Sequence, residues 1–337
     1  MPWLTPTVFK QSEQESLIGL PTFAGGQKRP RFRHIVHVYD DKDLPVNTQV
    51  QQITFRTMEG AMAFAAPEIP VRCVAVTYPE DLGLVPLGIT HAPVLQRFVT
   101  DVADFATKRP LPLLFDILGN GLEAQAAFAE EAVSDTTEYI VLTNSDIHLQ
   151  PYFYRVLAEL IGQGWDVLSV NRRTLDVEPG QRGFNPLFLA EPGKEHGGFD
   201  CFVFPASMAA QFARTQSCCG VGYVMRSLMF NLVALAPRYL MLTGAHLSFH
   251  LGDDRKWQVS AYDEYLDFNL DQARAVITAV AGDPEKLTRL ADFIRAHEDD
   301  PFKLTVNRLA PRVDPSVGAR SAETTSSASC SSAAVAG

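Results

Sequence analysis

An α/β fold, with a mainly parallel sheet covered by helices on both faces, is what the sequence predicts. Short Val-, Ile- and Leu-rich runs alternate over residues 33–173 with longer stretches whose apolar residues fall near helical spacing. Strands buried under crossover helices read as continuous apolar runs, and VRCVAV and EYIVL do. The chain has 337 residues, is 46% hydrophobic and 20% charged, and can therefore bury a full core.

Taken in order, residues 1–30 read as an irregular lead-in punctuated by Pro2, Pro6, Pro21, Gly25, Gly26 and Pro30. RHIVHVYD (33–40) reads as a buried first strand, with His34 and His37 at the edge of the core. Residues 47–65 place Val50, Ile53, Met58, Met62 and Phe64 near helical spacing, with Asn47 as the N-cap. VRCVAVTY (71–78) reads as a second strand, 94–106 as a helix and LPLLFDIL (111–118) as a third strand. The Ala- and Glu-rich stretch 120–136 is expected to be helical and EYIVLTN (138–144) to be a strand. Residues 151–164 read as a helix with Pro151 in its first turn, where a missing N–H costs nothing, and 165–173 as another strand.

Beyond residue 174 the alternation weakens. A Gly/Pro-rich loop is expected over 178–198, a short strand over 200–207, a buried helix over 227–236 and one or two strands over 239–250. Acidic helical segments follow over 262–281 and 284–297. From about Val313 the chain is small, polar and aperiodic, the pattern of a disordered tail.

Composition narrows the function. A net charge of −10 argues against a nucleic-acid partner, which needs a basic face to release counterions. Five cysteines, an odd number without C-x-x-C spacing, fit a reducing compartment. No basic, then apolar, leader opens the chain and no run of about 18 apolar residues interrupts it, so no transmembrane segment and a cytoplasmic location are expected.

Open parallel sheets bind ligands at the carboxyl ends of their strands. Thr143-Asn144-Ser145-Asp146 occupies that place, and a carboxylate there can hold a hard divalent cation through oxygen. The segment TEYIVLTNSDIHLQPYFYRVLAEL resembles the metal-binding segment of the GT-A glycosyltransferases, in which an apolar strand ends in Asp-x-Asp or a degenerate form of it, followed by Leu-x-Pro and a helix. The run from Asn120-Gly121 to Ile140 is similar to the stretch between that family's nucleotide-binding loop and metal site. The resemblance covers about 33–173 and departs from the pattern at Asn144, where the family has its first acid. It implies a Rossmann-like GT-A fold, a nucleotide-sugar-binding half over 31–173 and an acceptor-binding half over 174–312, ahead of a tail over 313–337.

A second segment, His250-Leu251-Gly252-Asp253-Asp254-Arg255-Lys256-Trp257, resembles the His-x-x-Gly-x-x-Lys-Pro-Trp element of glycogenin-like transferases, with Gly one residue early and Pro absent. That likeness implies Asp146 and His250 as ligands of Mn2+ or Mg2+, and Lys256 as a diphosphate partner. Tyr39 and Asp40 at the first strand's end, with Asp116, Asn120 and Asn144, would recognise the nucleotide sugar, and Arg173 would meet its phosphates. Asp200, Asp253 and Asp254 are the candidates to deprotonate an acceptor hydroxyl.

The expected activity is metal-assisted transfer of a sugar from a nucleotide-diphosphate donor to a sugar, lipid or protein hydroxyl. A non-catalytic nucleotide-sugar or carbohydrate binder is the alternative that Asn144 favours. A nucleotidyltransferase would carry a glycine-rich basic loop where YDDKDLP stands, and a dinucleotide oxidoreductase would carry G-x-G-x-x-G after a strand.

Overall fold

The computed structural model describes residues 29–40, 46–124, 136–177, 183–196, 198–252 and 260–296. Along the chain, β1 (Arg29–His37) leads to α1 (Val46–Ala65), β2 (Val71–Val76) and the two-residue β3 (Thr90–His91). Then come α2 (Leu114–Glu123), β4 (Thr136–Asn144), β5 (His148–Leu149), α3 (Phe153–Gly162), β6 (Val167–Val170) and β7 (Arg173–Leu175). The remaining elements are β8 (Lys194–Glu195), β9 (Cys201–Pro205), α4 (Val224–Leu235), β10 (Tyr239–Leu242), β11 (Ser248–Leu251), α5 (Asp263–Val280) and α6 (Pro284–Ala296).

Seven strands form the central sheet in the order β10-β6-β9-β4-β1-β2-β3. All run the same way except β9, which lies antiparallel between β4 and β6. This is the mixed, mainly parallel α/β arrangement expected, and β9 and β10 join it from beyond residue 174. A second sheet of short strands has the order β5-β11-β7-β8.

Alternation along each strand divides the core into two layers. Phe32 and Val36 of β1 face one cluster with Met58, Ala61, Tyr154 and Leu157, which belong to α1 and α3. Ile35 faces the other, built from α2, α4, α5 and α6 through Leu118, Leu228, Val276 and Leu290. Helix α2 sits close on β1 because Gly121 has no side chain; a Cβ there would meet Ile35 at 2.6 Å. Arg33 fastens its C-terminal end by donating to the Gly121, Leu122 and Ala124 carbonyls at 3.1, 2.7 and 3.1 Å.

Several expectations are corrected. Residues 111–118 are not a strand: Pro112 and Leu113 make single bridges, and α2 begins at Leu114. An apolar run of this length suits either reading, and the burial of Leu114, Ile117, Leu118 and Gly121 at helical spacing decides it. The stretch 94–106 is irregular apart from a 3-10 turn at Val99–Asp101, because Val99 donates to Leu111 across a bridge rather than to its own preceding turn. Asn47 lies inside the first turn of α1, since the helix already includes Val46. Helix α3 starts at Phe153, two residues after Pro151. The helix expected over 120–136 ends at Glu123, and 125–135 lie outside the described residues, as do the lead-in 1–28 and the tail.

His34 is not at the edge of the core but fully enclosed in it, its ring nitrogens 2.7 Å from the Tyr154 hydroxyl and 2.8 Å from that of Thr143. Cys73, Cys201, Cys218 and Cys219 are unpaired thiols. Among the described residues no helix is long and apolar enough to cross a membrane.

Candidate functional site

The carboxyl end of β4 organises the site. Parallel pairing sets Asn144 beside His37 of β1. The chain then turns through Ser145 and Asp146, with Ile147 N–H donating to the Asn144 carbonyl at 3.3 Å, and enters β5. Antiparallel pairing of β5 with β11 (Phe249 opposite His148) folds the later strand back over this turn. His250 Nε2 thereby reaches 3.2 Å from Asp146 Oδ2, across 104 positions of sequence.

The His250 tautomer follows from its second contact. Nδ1 lies 2.7 Å from the Gly252 carbonyl, which only accepts, so Nδ1 carries a proton and donates. Gly252 allows that approach because it sits at φ +79°, in the left-handed region. In a neutral ring Nε2 then points a lone pair at a carboxylate oxygen, and only a positive charge between or on the two groups makes that arrangement favourable.

Asp146 is 39% exposed as a side chain, yet its Oδ1 is enclosed and without a hydrogen-bond partner. Burial alone would raise this carboxyl, but the charge and hydrogen bond of His250, helped by Arg172, hold it well below the usual carboxylate range. His148 is fully buried, 3.0 Å from the Thr54 hydroxyl of α1, and burial pushes its imidazole down to about 3, with the His250 charge adding to the effect. It stays neutral.

A polar row crosses the sheet next to this pair. The register pairs Thr143 with Cys201 and Val170 with Cys201, so one step beyond it Asn144 of β4, Asp200 and Asn171 come side by side. Arg172 N–H lies 3.5 Å from Asp200 Oδ1, and Asn171 Nδ2 donates to the His196 carbonyl at 3.3 Å. Asp200, Asn171 and Arg172 are all at least nine-tenths buried.

At the end of β1, Tyr39 stacks on His37 with centroids 5.3 Å apart and planes at 14°. His37 meets Tyr78 edge-on at 6.1 Å, and Tyr78 stacks on Phe98 at 4.2 Å, extending the aromatic surface. The backbone is clamped here: Gln51 donates to the Tyr39 carbonyl at 2.7 Å and accepts from its N–H at 3.4 Å, while Asp81 accepts from Asp40 N–H at 3.2 Å.

Of the residues singled out in the sequence, Asn144, Asp146, His250 and Asp200 come together with Arg172, and Tyr39 and Asp40 follow the end of β1, the strand next to β4. Asp116 and Asn120 lie on α2 instead of a strand and its loop. Asp116 forms a two-pronged ion pair with Arg97 (2.8 and 3.1 Å), and Asn120 donates to the Pro93 and Val94 carbonyls. Arg173 donates to the Pro192, Gly193 and Gly244 carbonyls, so its guanidinium binds loops of this chain. Asp253, Asp254 and Lys256 lie outside the described residues. Among the described residues no three His, Cys, Asp or Glu side chains gather as a metal site.

Gln51 and Asn171 were missed by the sequence reading. For Asn171 a signal existed: VLSVN ends in the same strand-terminal asparagine as IVLTN. Gln51 offered none, being one polar residue on an amphipathic helix.

No family model matches the chain, and no curated protein matches it by sequence. Solved structures give distant matches in shape. Staphylococcus aureus TarS 1-349 is 13% identical over 86% of this chain and 77% of its own, with a TM-score of 0.48. The same protein in complex with UDP-GlcNAc matches at 13% identity over 81% and 75%, TM-score 0.45. Rv0371C from Mycobacterium tuberculosis H37Rv in complex with manganese is 11% identical over 71% and 99%, TM-score 0.32. At these identities and scores none of the neighbours carries its ligand or activity over to this chain.

Proposed function

We propose that this chain transfers a sugar from a nucleoside-diphosphate donor to a hydroxyl acceptor, assisted by a divalent cation. The Asp146–His250 pair is the observation that carries the reading. A carboxylate with one enclosed, unpartnered oxygen faces an imidazole nitrogen at 3.2 Å, at the carboxyl edge of a parallel sheet. Asp146 and His250 would hold Mn2+ or Mg2+, whose remaining positions suit diphosphate oxygens and water. Such a cation neutralises charge building on a departing nucleoside diphosphate.

The chain's own groups supply the rest. Tyr39 offers a ring on which a base can stack, at a corner whose backbone is fixed by Gln51. Asp200 presents Oδ2, buried and without a hydrogen-bond partner, as the atom to take a proton from an acceptor hydroxyl, while Arg172 holds Oδ1. Asp253, Asp254 and Lys256, just past His250, remain candidates for the base and for the diphosphate contact.

Asn144 supports a second reading, a nucleotide-sugar or carbohydrate binder without turnover, since a neutral amide stands where an acid would add a ligand. Titration with UDP and GDP, with and without manganese, followed by a panel of UDP-, GDP- and dTDP-sugars read by released nucleotide, separates the two. Metal-dependent binding with release supports transfer. Binding without release from any donor supports the second reading, and no binding removes both.

A further inference from the structure

The side chain of Asp200 is 10% exposed, and Oδ2, the oxygen assigned to the acceptor's proton, is enclosed. An acceptor hydroxyl that reaches Oδ2 fills the approach by which it came, so water does not collect the proton from that side. Before the carboxylate can serve a second turnover, the proton has to leave by another group.

His196 stands beside it. Its Nε2 lies 3.9 Å from Asp200 Oδ2, and its side chain is 21% exposed, so the ring has the enclosed oxygen on one side and solvent within reach. The β7–β8 ladder pairs Thr174 with Lys194 and Arg173 with Glu195. One step further His196 comes opposite Arg172, whose guanidinium lies 3.5 Å from Asp200 Oδ1. The Asn171 amide donates to the His196 carbonyl at 3.3 Å and fixes the peptide. The ring itself lies against Gly198, where a Cβ would meet His196 Nε2 at 2.4 Å and Asp200 Oδ2 at 3.6 Å. The missing side chain at 198 is what admits the imidazole next to the carboxylate. A separation of 3.9 Å is beyond a hydrogen bond, but contacts between catalytic groups tighten when substrate is bound.

We infer that His196 is the proton relay of Asp200, a residue that acts through the base rather than on the acceptor. The inference rests on the transfer reading and extends it by one step. As the acceptor oxygen bonds the anomeric carbon of the sugar, the bond from that carbon to the diphosphate breaks, and its electron pair leaves on the nucleoside diphosphate. The acceptor proton passes to Asp200 Oδ2, then to His196 Nε2, and from the imidazolium to water. An imidazole gains and loses a proton near neutral pH, which suits it to both transfers. Arg172 stays charged throughout and favours the carboxylate over the acid at Asp200, which drives the proton onward.

Steady-state nucleotide release by the full chain, at low buffer concentration and with a donor that wild type turns over, tests the relay. His196→Gln is expected to lower kcat about tenfold with the donor KM unchanged, whereas Asp200→Asn removes the base and costs about 100-fold or more. Added imidazole should restore most of the loss in His196→Gln, because a diffusible base takes the place of the ring, and should leave Asp200→Asn as it is. Gly198→Ala keeps the imidazole but displaces it, and should lower kcat by a factor similar to that of His196→Gln. Wild-type kcat in His196→Gln, or a loss that imidazole does not restore, overturns the relay while the transfer reading stands. A second measurement needs no turnover: the NMR titration midpoint of the His196 ring should fall by about one pH unit in Asp200→Asn, as loss of a neighbouring carboxylate requires. An unshifted midpoint also overturns the relay. Wild-type protein that releases nucleotide from no donor removes the transfer reading and the relay with it.

Discussion

His250 Nε2 faces Asp146 Oδ2 at 3.2 Å while Nδ1 of the same ring donates to the Gly252 carbonyl. Nδ1 is thereby the nitrogen that carries a proton, and in the function proposed above a divalent cation is shared between Nε2 and the carboxylate. Asp146→Ala and His250→Ala are each expected to abolish manganese-dependent UDP or GDP binding, with the circular dichroism spectrum retained. Titration calorimetry with and without manganese measures it, and wild-type metal dependence in both variants would remove the site. Because Asp146 lies on a turn and is 39% exposed, its loss should leave the packing of β4 intact.

The sheet was legible because its strands are short apolar runs with turn residues after them: EYIVLTN and VRCVAV are β4 and β2 to within two residues. Asp146 was legible as a strand-end acid. The antiparallel β9 was not, since CFVFP reads the same in either direction and only its position between β4 and β6 sets the polarity. The α2 error has the same root: LPLLFDIL is apolar at every spacing, and tertiary burial chose the helix. Arg172 and Arg173 are adjacent basic residues at one strand end, and nothing local says that the first meets Asp200 and the second three carbonyls.

Gln51 holds the Tyr39 peptide through both its N–H and its C=O. Gln51→Leu keeps the volume and removes both bonds. It is expected to cost about 2 kcal/mol of stability, as loss of partners to buried backbone groups does. It should also weaken UDP and GDP severalfold while leaving manganese affinity alone. Urea denaturation and nucleotide titration check the two effects, and full nucleotide affinity in a folded variant would detach Tyr39 from base binding.

Stability should fall as the pH drops below about 6.5. Burial pushes His34 down to about 3 and His37 to about 4, from an ordinary 6.5. Between those values and 6.5 the unfolded chain binds protons that the native chain refuses, so acid favours unfolding. Above 6.5 both states are neutral at these rings and the effect vanishes. Each histidine contributes about 1.4 kcal/mol per pH unit inside its window. Asp146, held low, adds its own loss only below about 4. Denaturant midpoints at pH 7.5, 6.0 and 5.0 read the slope, and His34→Gln should flatten it by about 1.4 kcal/mol per unit. An unchanged slope in that variant would mean that His34 accepts a proton in the native state.

Lys256 stands six residues past His250 in the sequence, the position that the likeness to the glycogenin-like element makes a diphosphate partner. Lys256→Ala is expected to weaken UDP and GDP about tenfold and UMP and GMP much less, because an ammonium contributes mainly where two phosphates place charge beside it. Titration of the four nucleotides with manganese at fixed concentration separates the cases. Equal weakening of mono- and diphosphates would count against the role.

Arg172 and Asp200 are a buried ion pair 3.5 Å apart, with side chains 11% and 10% exposed. Removing one member of such a pair leaves a desolvated charge without compensation, which costs more than the intact pair contributes. Arg172→Leu should therefore destabilise the fold by about 3 kcal/mol, and Asp200→Leu by a similar amount. The double variant should recover most of the loss, because two apolar side chains of comparable volume need no counter-charge. A double-mutant cycle in urea measures the coupling. Additive losses would mean that the two charges are solvated independently, in which case Asp200 Oδ2 reaches water. A recovered fold that no longer releases nucleotide from any donor would instead place the pair in the chemistry, with Asp200 as the base and Arg172 as the residue that holds it.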